Sequence, residues 1–560
     1  MSKGAQLFPL LILLTMALLV GIPLVTVFFI SLKTGLPGQP GALTLANFKV
    51  VLLASGTRAI LWNTLLFASG TMLVTLAITV PLVWLLNKTD LPGKGFFYLL
   101  MTVSVLIPTF LRAIAWILLT SPRIGLPGLL GFEQLDFSLY NLPGMSFVQG
   151  ISFVPASFFM LSAAYRAMDP ALEEAAYTSG VGKLMTFLRI MVPLTLPAIA
   201  AAFIYYFITA LSVFEAPAIL GLPNGIFVLS SAIFEAVEAR GGLPKYGQAG
   251  ALGILILVVG LCASLFYVRI IRQTQKYAVV TGRGYKPRLV ALGKLKLFAL
   301  AFVLFYFCLE LLLPFLIFLW ASFLTYLRVP SWEALSKLTW INYSNIFDYG
   351  GTEPFINTLI LIAAAPLLTV ALSIPVSWIV VRSRFAYRGT LDTLVFLSHS
   401  VPNIVLGVTL LYLFLIARNA IAIYGTLFAL IIANVINSLA YATRTINSSM
   451  IQIHRELEEA ARVSGVSGFI TVVKVTIPLI AGAVFNSWIW VVLLTYREVT
   501  MALVLGSPDN RVVSTVIWSL WSEGRVPQVS ALGVVMMGTF FVLVLSLRRV
   551  FARFYQNELA

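Results

Sequence analysis

The chain has 560 residues, of which only 10% are Asp, Glu, Lys or Arg, while 60% are hydrophobic and 13% aromatic. With a mean hydropathy of +0.98, this composition excludes an ordinary soluble domain and points to a membrane protein. The net charge of +16 does not indicate a nucleic-acid partner, because the cations gather in a few loops between apolar runs, where they set topology and attract anionic membrane lipid.

A bilayer-spanning helix needs about 20 mostly apolar residues. Twelve runs qualify, near 7–31, 60–86, 96–120, 146–167, 190–214, 248–268, 297–325, 356–381, 391–416, 421–443, 475–496 and 528–547. Their length argues for helices and against the alternating strands of an outer-membrane barrel. The expected fold class is therefore all-α, a polytopic membrane protein of about twelve transmembrane helices. Leu7 to Leu32 is too long for a signal h-region and no small-x-small cleavage site follows, so it reads as an uncleaved first helix. Cys262 and Cys308 fall inside expected spans and indicate neither a disulfide framework nor a zinc site.

Between the sixth and seventh runs lie Arg269, Arg272, Lys276, Arg283, Lys286, Arg288, Lys294 and Lys296 with no acid among them, which marks a cytoplasmic loop. Arg382, Arg384 and Arg388, then Arg548, Arg549 and Arg553, fall on the same side, and so do both termini. The first outer loop, with Lys33, Lys49 and Arg58 and no acid, runs against this trend.

The two halves of the chain repeat. Asn63, Pro81, Trp84, Gly95 and Pro108 recur 294 residues later as Asn357, Pro375, Trp378, Gly389 and Pro402; Glu174, Gly180 and Pro193 recur 285 residues later as Glu459, Gly465 and Pro478. The nine-residue difference falls where the first half carries PRIGLPGLLG, so the first half has the longer outer loop. Six spans per half is an even number, which makes the halves parallel six-helix repeats about an axis along the membrane normal. The expected organisation is a first half at 1–275 with a polar loop at 168–193, a basic linker at 276–296, and a second half at 297–560 with its polar loop at 453–478.

Those two loops read LEEAAYTSGVGK and LEEAARVSGVSG. A single copy would be no more than a solvated connection, but two copies in one register imply a short amphipathic helix, a break and a return to the bilayer. Leu172, Ala175 and Ala176, then Leu457, Ala460 and Ala461, share one helical face. Gly180 and Gly465 suit a left-handed helix end, and Pro193 and Pro478 are expected in the first turns of the following spans.

This spacing resembles the cytoplasmic motif of type I ABC importer permeases, the maltose- and methionine-uptake class: Glu-Ala-Ala, three residues, Gly, nine residues, Ile, two residues, Pro. The first half matches at Glu174, Ala175, Ala176, Gly180, Ile190 and Pro193; the second at Glu459, Ala460, Ala461, Gly465 and Pro478, with Val475 in place of Ile. The resemblance covers roughly 60–270 and 356–550. It implies that each loop is a coupling helix docking on a separate ATP-hydrolysing subunit, so two ABC ATPase subunits, a homodimer in the expected case, would partner this chain. It also implies an external or periplasmic solute-binding protein and a bacterial inner-membrane location. Fusion of two halves in one chain, with FEAPAILG, YREVTMALVLG and VSTVIWSLWSEG, looks like the ferric-iron branch, whose relatives also import thiamine, phosphonate and sugar phosphate; a polyamine is a further alternative.

The chain itself has no P-loop: TSGVGKL carries Tyr177 where a first Gly is needed and Leu184 where Ser or Thr would hold magnesium. Hydrolysis, with its ATP and Mg, is expected on the partners, and this chain is expected to be no enzyme and to bind no cofactor or metal. His399 and His454 have no metal-ligand companion at recognisable spacing. The rival class is a secondary transporter of major-facilitator architecture, which needs intramembrane titratable groups. Glu310 could serve, or could equally be paired with a neighbouring helix; Arg112, Glu215, Arg497 and Glu498 are expected toward the outer ends of spans.

Asn434, Asn437, Ser438 and Tyr441 form one polar stripe on the tenth span, and Gln149 and Ser152 stand among the corresponding positions of the first half. With Glu310 these are the pathway candidates, although such stripes also join helices. FEAPAILGLPNG and YREVTMALVLGSPDN, 285 residues apart, are expected as outer loops suited to docking a binding protein, or as ordinary connections.

Overall fold

The computed structural model describes residues 3–132, 134, 137–167, 175–176, 178–238, 242–274, 289–466 and 468–558. Among them nine helices are long and apolar enough to cross a bilayer, and four bent helix pairs bring the total to thirteen. Nine helices and three of the pairs coincide with the twelve expected spans. The fourth pair, Pro217–Asn224 with Leu229–Glu238, bends by 72° where an outer loop was expected. Of the expected linker at 276–296, residues 276–288 lie outside the described residues.

In the first half the spans are α1 (Gln6–Leu32), α2 (Ser55–Lys88), the broken pair α3 (Lys94–Leu106) and α4 (Thr109–Thr120), α5 (Leu142–Ala167), α6 (Phe187–Ser212) and α8 (Tyr246–Thr274), with the short helix α7 (Leu229–Glu238) before the last. The second half repeats the series as α9 (Leu295–Ser322), α10 (Glu353–Arg382), the broken pair α11 (Arg388–Ser400) and α12 (Asn403–Ala417), α13 (Leu427–Gln452), the short polar helix α14 (Arg455–Val463), α15 (Ala481–Tyr496), the short helix α16 (Val513–Ser522) and α17 (Val526–Glu558). Leu7, Leu10, Leu14, Leu18 and Val25 are each more than half exposed along α1, as a lipid-facing helix requires.

Prolines account for the irregular turns. Pro23, Pro193, Pro314 and Pro478 each directly follow a residue that closes or succeeds a π-helical turn, at 17–21, 187–191, 308–312 and 472–476. A proline has no N–H to give its own turn and its ring crowds the carbonyl four residues back, and widening the preceding turn relieves both. This corrects the expected place of Pro193 and Pro478: Pro193 sits inside a widened helix that already begins at Lys183, and Pro478 is next to last in the helix begun at Gly468, which ends at Leu479 and bends by 71° into α15.

Pro108 and Pro402 break their spans outright, with bends of 100° and 106°. Ile107 and Val401 before them are extended, at ψ 125° and 121°, as the clash with a following proline ring demands.

The recurring asparagines hold matching joints in the two halves. Asn63 donates to the Phe227 carbonyl and Asn357 to that of Arg511, at 3.2 and 3.0 Å. Their neighbours Thr64 and Thr358 accept from the backbone N–H of Leu229 and Val513, at the starts of α7 and α16. Asn47 and Asn342 each tie down two carbonyls at the C-terminal ends of α1 and α9. Each first span crosses to the other half, α1 against α12 and α9 against α4. The two large apolar cores consequently each contain side chains of both halves.

Candidate functional site

The two polar loops end in the same backbone device. Val181 N–H bonds the Ala176 carbonyl at 3.0 Å, and Val466 N–H bonds that of Ala461 at 3.1 Å, each spanning five residues. Between donor and acceptor, Gly180 and Gly465 both have φ of +79°. This is a glycine-ended helix of the Schellman type, and at that φ a side chain is strained whatever the space around it. The space itself is open, since a Cβ at either glycine would meet nothing within 4 Å.

Within α14, Leu457, Glu459 and Ala460 are exposed and Ala461 is half-buried, so most of the expected small-residue face stands free. In the first loop Ala175 is exposed and Ala176 buried, while Leu172 and Glu174 lie outside the described residues. Pro193 and Pro478 are both exposed. The inward face of α14 carries Glu458, which the repeat did not single out. It is ion-paired with Arg382 at 3.3 Å and accepts a hydrogen bond from Thr476 Oγ1 at 3.3 Å.

A second polar centre forms at the breaks in the spans. A broken helix exposes backbone N–H and C=O groups at membrane depth, where no water satisfies them. Glu215 accepts from Phe110 N–H at 3.0 Å, capping the start of α4. Arg497 donates to the Val105 carbonyl at 2.8 Å, near the end of α3, and Arg112 donates to the carbonyl of Ser104. Charges of these signs also suit the partial charges of the two helix ends. Glu498 receives Asn403 Nδ2 at 2.7 Å and Met501 N–H at 2.8 Å. These groups were expected toward the outer ends of spans. Glu215, Arg497 and Glu498 do stand just past the ends of α6 and α15, where the breaks and the returning segments set them against backbone, while Arg112 lies within α4; Glu215, Asn403, Arg497 and Glu498 are half-buried.

The sequence candidates for a pathway do not all meet there. Glu310 is fully buried and ion-paired with Arg112 at 2.7 Å, across the contact of α9 with α4. Asn434 is buried and bonds the Leu430 carbonyl of its own helix. Ser438 is buried, Asn437 half-buried, and Tyr441 lies near Trp490 of α15 with ring centroids 6.1 Å apart and planes tilted by 57°. Gln149 and Ser152 are buried in α5, and Ser152 bonds the Val148 carbonyl. The segments expected as docking loops are largely interior: Pro217–Gly221 is buried throughout, and Met501 and Leu505 are fully buried. Their alternation of Gly and Pro with apolar residues was the available sign of a returning segment. In a topology of twelve spans, their place after the fifth and eleventh and their turn-rich composition with nearby charge point outward instead.

Residues 80–276 and 370–557 each match the family described as binding-protein-dependent transport system inner membrane component. The chain is 28% identical over 422 residues to the ferric transport system permease protein FbpB of Actinobacillus pleuropneumoniae, covering 74% of this chain and 59% of that protein. It is 24% identical over 470 residues to the Fe(3+)-transport system permease protein FbpB 2 of Haemophilus influenzae, covering 82% and 84%. The molybdenum transport system permease protein ModB of Escherichia coli (strain K12) is 24% identical over 212 residues, 37% of this chain but 91% of that protein. A little over a third of this chain thus aligns with nearly the whole of a smaller relative.

Proposed function

From a chain that belongs to the binding-protein-dependent transport system inner membrane component family, we propose the permease subunit of an ATP-driven importer. It takes a small solute from an external binding protein and passes it to the cytoplasm by alternating access of its two halves. Two ATPase subunits supply the work through 168–193 and 453–478, on the side where the Lys and Arg clusters and both termini lie. The observation that carries this reading is the twin glycine-ended helix, identical in hydrogen bonding and in φ at positions 285 residues apart. A repeated rigid projection on one side of a two-half membrane protein is what a pair of identical motors would grip.

Ferric iron is the first candidate cargo, on the strength of the two relatives whose names carry it. Thiamine, phosphonate, sugar phosphate and polyamine are the alternatives by the same mechanism. Glu310, the group a proton-coupled rival would need, already has a cationic partner in Arg112. The test is uptake of ferric iron, loaded on the binding protein, into vesicles holding the complete transporter. Uptake should require ATP and survive a protonophore. Uptake that ignores ATP and collapses with the protonophore would overturn the proposal.

A further inference from the structure

Adjacent residues of a helix point about 100° apart, so a Glu-Glu pair can address two surfaces at once. In α14 Glu459 is exposed, while Glu458 is only 6% exposed. Arg382, which closes α10, sets its Nε 3.3 Å from the Glu458 carboxylate and donates from Nη2 to the Met450 and Ile453 carbonyls at 2.7 and 2.6 Å. Thr476, in the π-helical turn below α15, donates to the same carboxylate. One buried ion pair therefore joins α14 to the cytoplasmic ends of α10 and α13 and to the helix leading into α15.

We infer that Glu458 is the positioning residue of the second coupling helix: the Glu459 face meets the ATPase, and Glu458, fastened to Arg382 and Thr476, carries the displacement of α14 into α10 and α15. This rests on the reading of α14 as a coupling helix. A helix seated only on apolar side chains could slide over the span ends without moving them. A buried charge pair resists sliding, because separating the partners leaves an uncompensated charge. The guanidinium fork is what lets one side chain reach acceptors on two segments at once, which a lysine ammonium serves poorly. The corresponding positions of the first half carry Lys88 and Met191. Methionine has no hydroxyl to donate, so the threonine arm of this junction belongs to the second half alone.

The test is hydrogen–deuterium exchange on the complete transporter in lipid nanodiscs, with and without ATP plus vanadate. In the wild type, trapping should change exchange in 455–463 and also in 376–383 and 472–480. Glu458→Gln should keep the ATPase in a pull-down and keep the change in 455–463, yet lose at least half of the change in the two span segments. Arg382→Lys should behave likewise. Full retention of the span response, or loss of the ATPase from Glu458→Gln, overturns the inference. Absence of any response in wild-type 455–463, with the ATPase bound, overturns the coupling-helix reading and the inference with it. Should Glu458→Gln fail to assemble in the membrane, the isosteric Thr476→Val carries the test: it should lose the response in 472–480 alone, and an undiminished response there overturns the inference.

Discussion

Arg497, just past the end of α15 in the second half, donates to the carbonyl of Val105 at the break in the first half's span, 2.8 Å away. The contact crosses between the halves and satisfies a carbonyl that the proline break leaves open. Arg497→Gln removes the charge and shortens the reach. Losing a hydrogen bond to a charged group costs about 1.5–3 kcal/mol, a size that shifts a two-state equilibrium on the order of tenfold to a hundredfold. ATP hydrolysis by the assembled transporter without cargo should therefore rise as the halves part more readily. Unchanged basal hydrolysis would show that this contact does not hold the halves together.

The pair Arg112–Glu310 makes a different prediction, because pseudo-symmetry supplies its control. Leu406 corresponds to Arg112 in the 294-residue register, and aligning the π-helical turns 17–21 and 308–312, 291 residues apart, matches Leu19 to Glu310; these are leucines in one apolar cluster, so the same crossing is built once with charge and once without. Glu310→Gln leaves Arg112 buried without its counter-ion, at a cost of about 3–5 kcal/mol. Arg112→Leu with Glu310→Leu copies the apolar crossing and should cost much less. Thermal unfolding of the detergent-solubilised protein should rank wild type and double variant close together with the single variant well below. A double variant as unstable as the single would refute this account of the crossing.

Much of the architecture was legible in the sequence because a bilayer imposes a length. The runs, the even count per half and the 285- and 294-residue registers required nothing beyond apolar spacing and the fixed positions of Asn, Gly and Pro. The register also pointed to Asn63 and Asn357, although only the fold shows that they hold the returning segments. Those segments were missed for a physical reason: Pro223, Asn224 and Gly225 divide a stretch such as 217–238 into apolar pieces each too short to span, so turn chemistry assigns it to the outside. The inward role of Glu458 was hidden likewise. Two adjacent glutamates look alike in a sequence, and only the position of Arg382, 76 residues earlier, tells them apart.

At Gly180 and Gly465 the strain of any replacement comes from φ alone, since the surroundings are open. Asparagine visits the left-handed region at low cost and β-branched residues do not. Gly465→Asn should accordingly retain most ATP-driven uptake, and Gly465→Val should lose it. The pair Gly180→Asp and Gly465→Asp, which also brings charge to both docking faces, should uncouple or detach the ATPase. Equal loss with Asn and Val at 465 would mean that a partner packs against the glycine and that backbone conformation is not the requirement.

The start of the second half is fastened to the first by Asp90. Its Oδ1 accepts from Leu292 N–H at 2.8 Å and its Oδ2 meets Lys296 Nζ at 3.1 Å, while Thr89 and Val290 pair as a short parallel bridge. The Leu292 hydrogen bond first, then that of Lys296, holds the Asp90 carboxyl below its ordinary value of 3.8. A carboxyl depressed in the folded protein contributes stability above the unfolded value and loses it as pH falls through the lowered one. The clasp should therefore be constant from neutral pH down to about 4 and weaken only below that. Limited proteolysis in the 275–295 region should be slow and flat across the upper range and accelerate in the acid range for the wild type. Asp90→Asn keeps an acceptor for Leu292 but gives up the charge facing Lys296, so it should be cut faster at neutral pH and show no acid-induced change. A wild-type profile that loosens already between pH 7 and 5 would assign the clasp to some other group.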